Sequence, residues 1–139
     1  MHRNHDPNRS LAGYKVLVVE DDFFVAKSLG VLLTALDCEV VGPAPTVDEA
    51  CELIKTSDID AAVLDIALSP GTSAPVARAL LYKECPFVFV TGYSSINMLP
   101  DDLRGYRVLL KPVDADTLAD AIDEAVQRGK KQKKGKLRN

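Results

Sequence analysis

Short apolar runs alternate along the chain with stretches in which apolar residues recur every three or four positions. The runs at 14–20, 39–42, 60–65, 86–91 and 106–110 are typical of short strands, most of them buried. The segments 23–36, 46–55, 73–83 and 114–129 have helical spacing, whereas 94–104 allows only a short helix. This alternation predicts right-handed crossovers and an α/β domain with a doubly wound parallel sheet.

Local signals support the predicted helix boundaries. Thr46 and Glu49 form a capping box at the start of one helix, and Pro75 fits the first turn of the next. Asp114 caps the final helix, which we expect to end at Gly129. Asp22 is interpreted as a helix-start acid that favours the positive end of the helix dipole.

Polar residues follow four of the predicted strands where each strand ends. Glu20 and Asp21 follow the first strand, Asp65 the third, Thr91 the fourth and Lys111 the fifth. The carboxyl ends of parallel strands meet at one edge of a sheet, where open α/β sheets place their sites. The sequence therefore predicts one site built from acids, a hydroxyl and an amine.

Composition fits a single soluble domain and excludes several kinds of site. The chain has 139 residues, of which 47% are hydrophobic and 27% charged. Its three cysteines include no CxxC pair, so neither zinc nor a disulfide framework is expected. The two histidines, His2 and His5, lie in the polar N-terminal segment, which excludes histidine catalysis in the domain. With no apolar signal segment or membrane span, we expect a cytoplasmic protein.

The net charge of −3 is unevenly distributed. Residues 129–139 contain six positive residues and no acid, whereas 1–128 contain 11 positive and 20 negative residues. We interpret 1–13 as a flexible leader, 14–128 as the domain and 129–139 as a flexible, solvated basic tail. Contact of this tail with an acidic partner or with nucleic acid is the less favoured interpretation, because the rest of the chain has no nucleic-acid-binding motif.

The strand-end residues have the chemistry of phosphoryl transfer with a hard metal ion. Clustered carboxylates raise one another's pKa unless a cation compensates them, and oxygen ligands without histidine or cysteine favour Mg²⁺, with Mn²⁺ as the alternative. Asp65 stands alone at a central strand end and is the expected nucleophile, whereas Glu20 and Asp21 suit the metal. Lys111 and Thr91 would contact the phosphoryl oxygens.

Four segments resemble the receiver domains of two-component response regulators. VLVVEDD resembles the acidic pair of that family, which places Glu20 and Asp21 on the metal. VLDIAL resembles the phosphoacceptor segment, which implies phosphorylation of Asp65 and a metal contact from the backbone carbonyl of Ala67. FVFVTGY and LLKPV match the family's threonine and lysine at Thr91 and Lys111, the lysine being followed by a proline after a cis peptide.

The resemblance implies a flavodoxin-like sheet of order 2-1-3-4-5 and a function in signalling. A histidine kinase would donate the phosphoryl group to Asp65, and the modified domain would switch its binding to a downstream protein target. Such a protein is a phosphoacceptor rather than an enzyme, since it catalyses only its own phosphorylation and dephosphorylation. We expect a stand-alone receiver with no nucleic-acid or membrane partner.

The segment PFVFVTGY also resembles a narrower group of receivers that pair with histidine kinases of the HWE/HisKA2 type. Val90 replaces the alanine of that group. Val108 stands where many receivers carry a switch Tyr or Phe, so coupling of that kind to Thr91 is not expected. Tyr93 is a second switch candidate or a shield of the phosphoryl group, although simple packing is as good an interpretation.

Two other functions fit part of the pattern. A phosphate sink or relay would use the same site but pass the phosphoryl group on or lose it to water. A phosphatase of the haloacid dehalogenase type would need a second acid two residues after Asp65, where Ala67 stands. The phosphatase is therefore disfavoured, and the sink stays open.

Overall fold

A computed structural model describes the backbone of residues 11–138 and the side chains of residues 11–132. Its main sheet has five parallel strands: β1 (Lys15–Val19), β2 (Glu39–Ala44), β3 (Ala61–Asp65), β4 (Phe87–Thr91) and β5 (Val108–Leu110). They lie in the order β2-β1-β3-β4-β5, so the order changes direction at β1 and β3. This is the flavodoxin-like order that the resemblance implied, and the predicted fold class is confirmed.

The described residues also form four α-helices, of which three connect strands and the fourth follows β5, and two short 3-10 helices between β4 and β5. The α-helices are α1 (Phe23–Ala35), α2 (Val47–Thr56), α3 (Ala74–Tyr82) and α4 (Ala115–Arg138). The 3-10 helices, Tyr93–Met98 and Asp101–Leu103, occupy the segment for which the sequence predicted only a short helix. The backbone N–H of Glu49 donates to Oγ1 of Thr46, 3.1 Å away, as expected for the predicted cap.

The sheet is covered on both faces, because successive residues of each strand point to opposite sides. Leu17, Leu64 and Phe89 lie in one apolar cluster with residues of α2 and α3. Val18, Val63 and Val90 lie in the other cluster with residues of α1 and α4. Two buried faces explain why these strands read as continuous apolar runs, and a three-layer core fixes their carboxyl ends at one edge.

Two predicted boundaries were wrong, and one pair of short strands was not predicted. Helix α4 does not end at Gly129 but continues to Arg138, because a helical glycine costs only about 1 kcal/mol and the lysines beyond it favour helix. Strand β2 continues past Gly42 to Ala44. Two short strands that the sequence did not predict, Ala67–Leu68 and Gly71–Thr72, form an antiparallel hairpin.

The N-terminal leader was predicted to extend to residue 13, but its last residues contact the domain. Leu11 is buried, and the backbone N–H of Gly13 donates to the carbonyl of Asp37 over 2.9 Å. Residues 1–10, which include His2 and His5, lie outside the described residues. In the part of the chain that is described, no helix is both long enough and apolar enough to span a bilayer.

Strand β2 contains a bulge that depends on Gly42. Leu17 pairs with Val41 and Val19 with Ala44, so two residues of β2 stand opposite Val18. Gly42 has a φ of +92°, in a region that side chains with a Cβ atom disfavour. An added Cβ would lie 2.8 Å from the backbone nitrogen of Ala44.

We predict that Gly42→Ala lowers the free energy of unfolding by about 2 kcal/mol or more, from backbone strain and this contact. Gly30→Ala is the control, because a Cβ at Gly30 in α1 meets no atom within 4 Å. That change should raise stability by up to about 1 kcal/mol through helix propensity. Urea unfolding measures both, and equal stabilities for the two variants would contradict the role of Gly42.

Candidate functional site

The polar residues predicted from the strand ends lie together at the carboxyl edge of the sheet. Glu20 directly follows β1, Asp65 and Thr91 are the last residues of β3 and β4, and Lys111 directly follows β5. Backbone hydrogen bonds hold the edge together, since the N–H of Lys111 donates to the carbonyl of Thr91 over 2.9 Å. The parallel arrangement thus brings together residues up to 91 positions apart.

Three carboxylates form a cluster at this edge. Glu20, Asp21 and Asp65 each offer one oxygen atom, and these atoms all lie within 4.8 Å of one another. Glu20 is 2% exposed and Asp65 7%, whereas Asp21 lies on the open side. Two buried acids and one accessible acid form a cradle that opens to solvent through Asp21.

Lys111 provides the positive charge inside the cluster. Its Nζ atom lies 2.7 Å from Oε1 of Glu20 and 2.8 Å from Oδ2 of Asp65. Its side chain is 24% exposed, so both ion pairs are poorly screened by water. One ammonium group therefore neutralises part of the charge of two buried carboxylates.

Asp65 is held through both of its carboxylate oxygens. Oδ1 accepts a hydrogen bond from the hydroxyl of Thr91 and one from the backbone N–H of Ala67, each 3.3 Å long. Oδ2 accepts from Lys111. Because Thr91 is fully buried, the carboxyl group of Asp65 has a fixed orientation at the end of the central strand.

The two neighbouring aspartates have different roles in the structure. Oδ1 of Asp22 accepts the backbone N–H groups of Phe24 and Val25 at 2.9 and 3.1 Å, which confirms Asp22 as the helix cap. Oδ2 of Asp21 accepts the N–H of Ser69, 3.1 Å away in the hairpin. Asp21 thus faces the cluster and the hairpin, while Asp22 satisfies the first turn of α1.

The cluster has the donor set of a magnesium site. Carboxylate oxygens are the ligands that Mg²⁺ prefers, and the cluster contains no histidine or cysteine. An accessible Asp21 beside two buried acids leaves room for water and phosphate oxygens on the solvent side. The residues present therefore fit the ion that the sequence predicted.

The other residues singled out from the sequence lie around this cluster. Tyr93 is 81% exposed at the start of the first 3-10 helix, so its ring does not cover Asp65 here. Val108 is half-buried against the apolar cluster of α2 and α3. The Lys111-Pro112 peptide is cis, as the resemblance implied.

Sequence reasoning missed an aromatic patch beside the cluster. Phe23 and Phe24, the first residues of α1, are 71% and 79% exposed, and their rings meet edge to face at 5.5 Å. The sequence analysis predicted a helix over this segment but assigned no role to these two residues. The available signal was that two large apolar residues directly follow a pair of acids, where a helix start faces solvent.

Comparison with known proteins agrees with this geometry. Residues 16–123 match the response regulator receiver domain family. The chain belongs to this family. Its members are signalling proteins of two-component systems, and phosphorylation and Mg²⁺ binding at an acidic pocket are general features of them.

Sequence alignments with individual relatives extend over most of this chain. It is 29% identical over 126 residues to the sensory transduction protein LytT of Bacillus cereus, with 88% of this chain and 50% of that protein covered. Nodulation protein W of Bradyrhizobium diazoefficiens is 32% identical, with 85% and 53% covered. The chain thus spans about half the length of these curated relatives. The solution structure of SdrG from Sphingomonas melonis Fr1 has a TM-score of 0.74 and 37% identity, covering 83% of this chain and 97% of that one.

Burial shifts the titration of the receiver's innermost acid. Burial raises the pKa of Glu20 from its ordinary 4.5 to about 7, although the hydrogen bond from Lys111 opposes the shift. Burial lowers the pKa of Lys111, but its hydrogen bonds to Asp65 and Glu20 outweigh that effect and leave this pKa above 10.5. Lys111 thus stays charged while Glu20 titrates near neutrality.

We predict that stability without divalent metal falls as pH rises from 5 to 8. The folded chain holds a proton on Glu20 up to about pH 7 and the unfolded chain only to about 4.5, so the folded state binds more protons in this window. Lys111 does not make stability change with pH in this range, because it loses its charge only above pH 10.5. The expected loss is about 2 kcal/mol, at about 1.4 kcal/mol for each pKa unit.

Urea unfolding in EDTA at several pH values measures this slope, with Glu20→Gln as the comparison. The variant should lack the part of the slope between pH 5 and 8. Parallel curves for the two proteins would show that Glu20 is not the titrating group.

Proposed function

We propose that this receiver accepts a phosphoryl group on Asp65 from the phosphohistidine of a sensor kinase, with Mg²⁺ bound. The observation that carries the proposal is the convergence of Lys111, Thr91 and the acid cluster on one carboxyl group. Glu20, Asp21, Asp65 and the backbone carbonyl of Ala67 are the proposed metal ligands. Mn²⁺ would serve in place of Mg²⁺.

The transfer begins when an oxygen of Asp65 attacks the phosphorus atom. The bond from phosphorus to the histidine nitrogen breaks, the nitrogen keeps the electron pair, and an acyl phosphate forms on Asp65. The metal ion, when bound, neutralises charge on the phosphoryl oxygens. Lys111 already lies 2.8 Å from Oδ2 of Asp65, so a small movement would bring its ammonium group to the phosphoryl group.

Thr91 is the proposed link between phosphorylation and partner binding. Its hydroxyl now donates to Asp65 and would donate to the phosphoryl group instead, which pulls the end of β4 inward. The next segment, 92–104, consists of short 3-10 helices that begin at Tyr93, the second switch candidate. We propose that this segment, β5 and α4 form the face that binds or releases a protein target.

We also propose a kinase of the HWE/HisKA2 type as the phosphoryl donor. The segment PFVFVTGY supports this partner, and it forms β4 and the turn beside Asp65. The exposed rings of Phe23 and Phe24 support docking of a protein next to the site, since large exposed apolar groups mark interaction surfaces.

The receiver would catalyse only its own phosphorylation and dephosphorylation. A phosphate sink or relay would use the same residues, and no contact in the structure favours it over a binding switch. Action as a stand-alone receiver stays a prediction, because the chain matches only about half the length of the curated relatives.

Asp65→Asn should abolish phosphorylation, because an amide oxygen cannot form the acyl phosphate. Asp58→Asn is the matched control, since Asp58 is an exposed aspartate before the other end of the same strand and should behave as wild type. Each protein is incubated with a candidate kinase or with acetyl phosphate, with and without Mg²⁺. Intact mass then measures the phosphate adduct.

Labelling of Asp65→Asn to the wild-type level would exclude Asp65 as the acceptor. Metal-independent labelling of the wild type would argue against the proposed cluster of ligands.

Phe24→Ser tests whether the aromatic patch is the kinase-docking surface. We expect phosphotransfer from a kinase that labels the wild type to slow about tenfold. This corresponds to a loss of about 1.4 kcal/mol of binding free energy between kinase and receiver. Phosphorylation by acetyl phosphate should not change, because this small donor needs no docking surface. Tyr82→Ser is the control, since Tyr82 is 88% exposed on α3. Equal slowing with the kinase and with acetyl phosphate would show that the substitution disturbs the phosphorylation site and not the docking of the kinase.

A further inference from the structure

A cavity of about 230 Å³ lies at the sheet edge opposite the acid cluster. Its walls are the amino ends of β4 and β5 and the middle of α4. The carboxyl ends of these strands hold Thr91 and Lys111, so the cavity is separated from the phosphorylation site by the length of the strands. It is therefore distinct from the proposed site.

The inner wall of the cavity is apolar. Phe87 and Tyr106 stack with ring centroids 4.9 Å apart and an interplanar angle of 28°. Ala121 and Ala125 of α4 line another part of the cavity, where their short side chains leave space. The volume suits one large apolar side chain rather than an extended ligand.

The rim of the cavity is charged. Arg107 and Arg128 each use a nitrogen atom to contact Glu124, at 3.1 and 2.9 Å, so one carboxylate serves two guanidinium groups. Each guanidinium has five N–H groups, which leaves donors for an added carboxylate. Glu84 also lines the cavity.

Excess positive charge begins where α4 leaves the cavity. Val126 is the last residue that packs in the core, and the helix then continues for about 18 Å. Gly129 and Gln132 line the cavity, and Lys130 and Lys131 are exposed beside them. From residue 125 onward the sequence has no acid, and four more positive residues follow at 133, 134, 136 and 138.

This charge pattern is unfavourable for an isolated helix. Arg128 and Lys131 are exposed and three positions apart in α4, where like charges repel. An acidic partner beside these residues would relieve the repulsion.

We propose that the cavity and the basic end of α4 bind an acidic segment of a partner protein, with one apolar side chain of that segment in the cavity. The acids at the rim, Glu84 and Glu124, disfavour nucleic acid, since they would repel phosphates. The cavity also lacks an exposed aromatic platform on which bases stack, since Phe87 is buried. This proposal does not depend on phosphorylation of Asp65, so the two can fail separately.

The test uses two labelled peptides, EEDFEE and EEDSEE, and measures fluorescence anisotropy with the unphosphorylated full chain at low salt. The first peptide should bind, and the second should bind at least fivefold more weakly because it lacks the apolar anchor. Ala125→Phe fills the cavity and should weaken binding of EEDFEE about tenfold. Arg107→Gln, at an exposed rim position, should weaken it without filling the core.

The double variant Lys130→Glu and Lys131→Glu tests the basic helix and should abolish binding. Its control, Lys27→Glu with Lys55→Glu, makes the same change of charge on α1 and α2 and should retain measurable binding.

Several outcomes would overturn the proposal. These are equal binding of the two peptides, full binding by both Ala125→Phe and Arg107→Gln, or tighter binding of a single-stranded oligonucleotide through the same lysines. Self-association that Ala125→Phe removes would assign the cavity to a second copy of the chain, whose Asp21, Asp22, Phe23 and Phe24 form an acidic and aromatic segment.

Discussion

The ammonium group of Lys111 between the carboxylates of Glu20 and Asp65 is the contact on which the site depends. It joins the end of β5 to the ends of β1 and β3, across the intervening strand β4. Without it, two buried acids would face each other beside a third. Removing Lys111 would leave these buried carboxylates without a compensating charge, so the same contact holds the site and links it to the edge of the sheet.

The same arrangement leaves the site ready for a divalent cation. Lys111 carries one positive charge, whereas the cluster has three carboxyl groups. The raised pKa of Glu20 shows that one ammonium group does not fully compensate for burial. A doubly charged ion bound through Asp21 would supply the missing charge, and Lys111 would then be available to a phosphoryl group.

Much of the fold and site could be predicted from the sequence because two periodicities carry the information. Apolar runs without alternation indicated strands buried on both faces, and parallel order then required Glu20, Asp65, Thr91 and Lys111 to meet. Asp22 was correctly placed as an acid at a helix start, and the structure shows in addition that its side chain caps that helix. Local patterns thus predicted both the strands and helices and the site residues at the strand ends.

Features set by tertiary contacts could not be predicted in this way. The hairpin strands of 67–72 have only two residues each, too few for any period. Gly129 was taken as a stop signal, yet a helix continues through glycine when the next residues favour it. The exposure of Phe23 depends on which face of α1 meets the sheet, and the cavity at the amino ends of β4 and β5 depends on how those strands pack against α4.

The most direct test of the account is the affinity for Mg²⁺ of two variants of neighbouring aspartates, measured by isothermal titration calorimetry. Asp21→Asn removes an accessible carboxylate of the cluster and should weaken binding tenfold or more, on the order of 1.4 kcal/mol. Asp22→Asn makes the same change of charge one residue away, keeps an acceptable helix cap, and should weaken binding by about threefold or less. Equal affinities for the two variants would contradict a metal site formed by Glu20, Asp21 and Asp65.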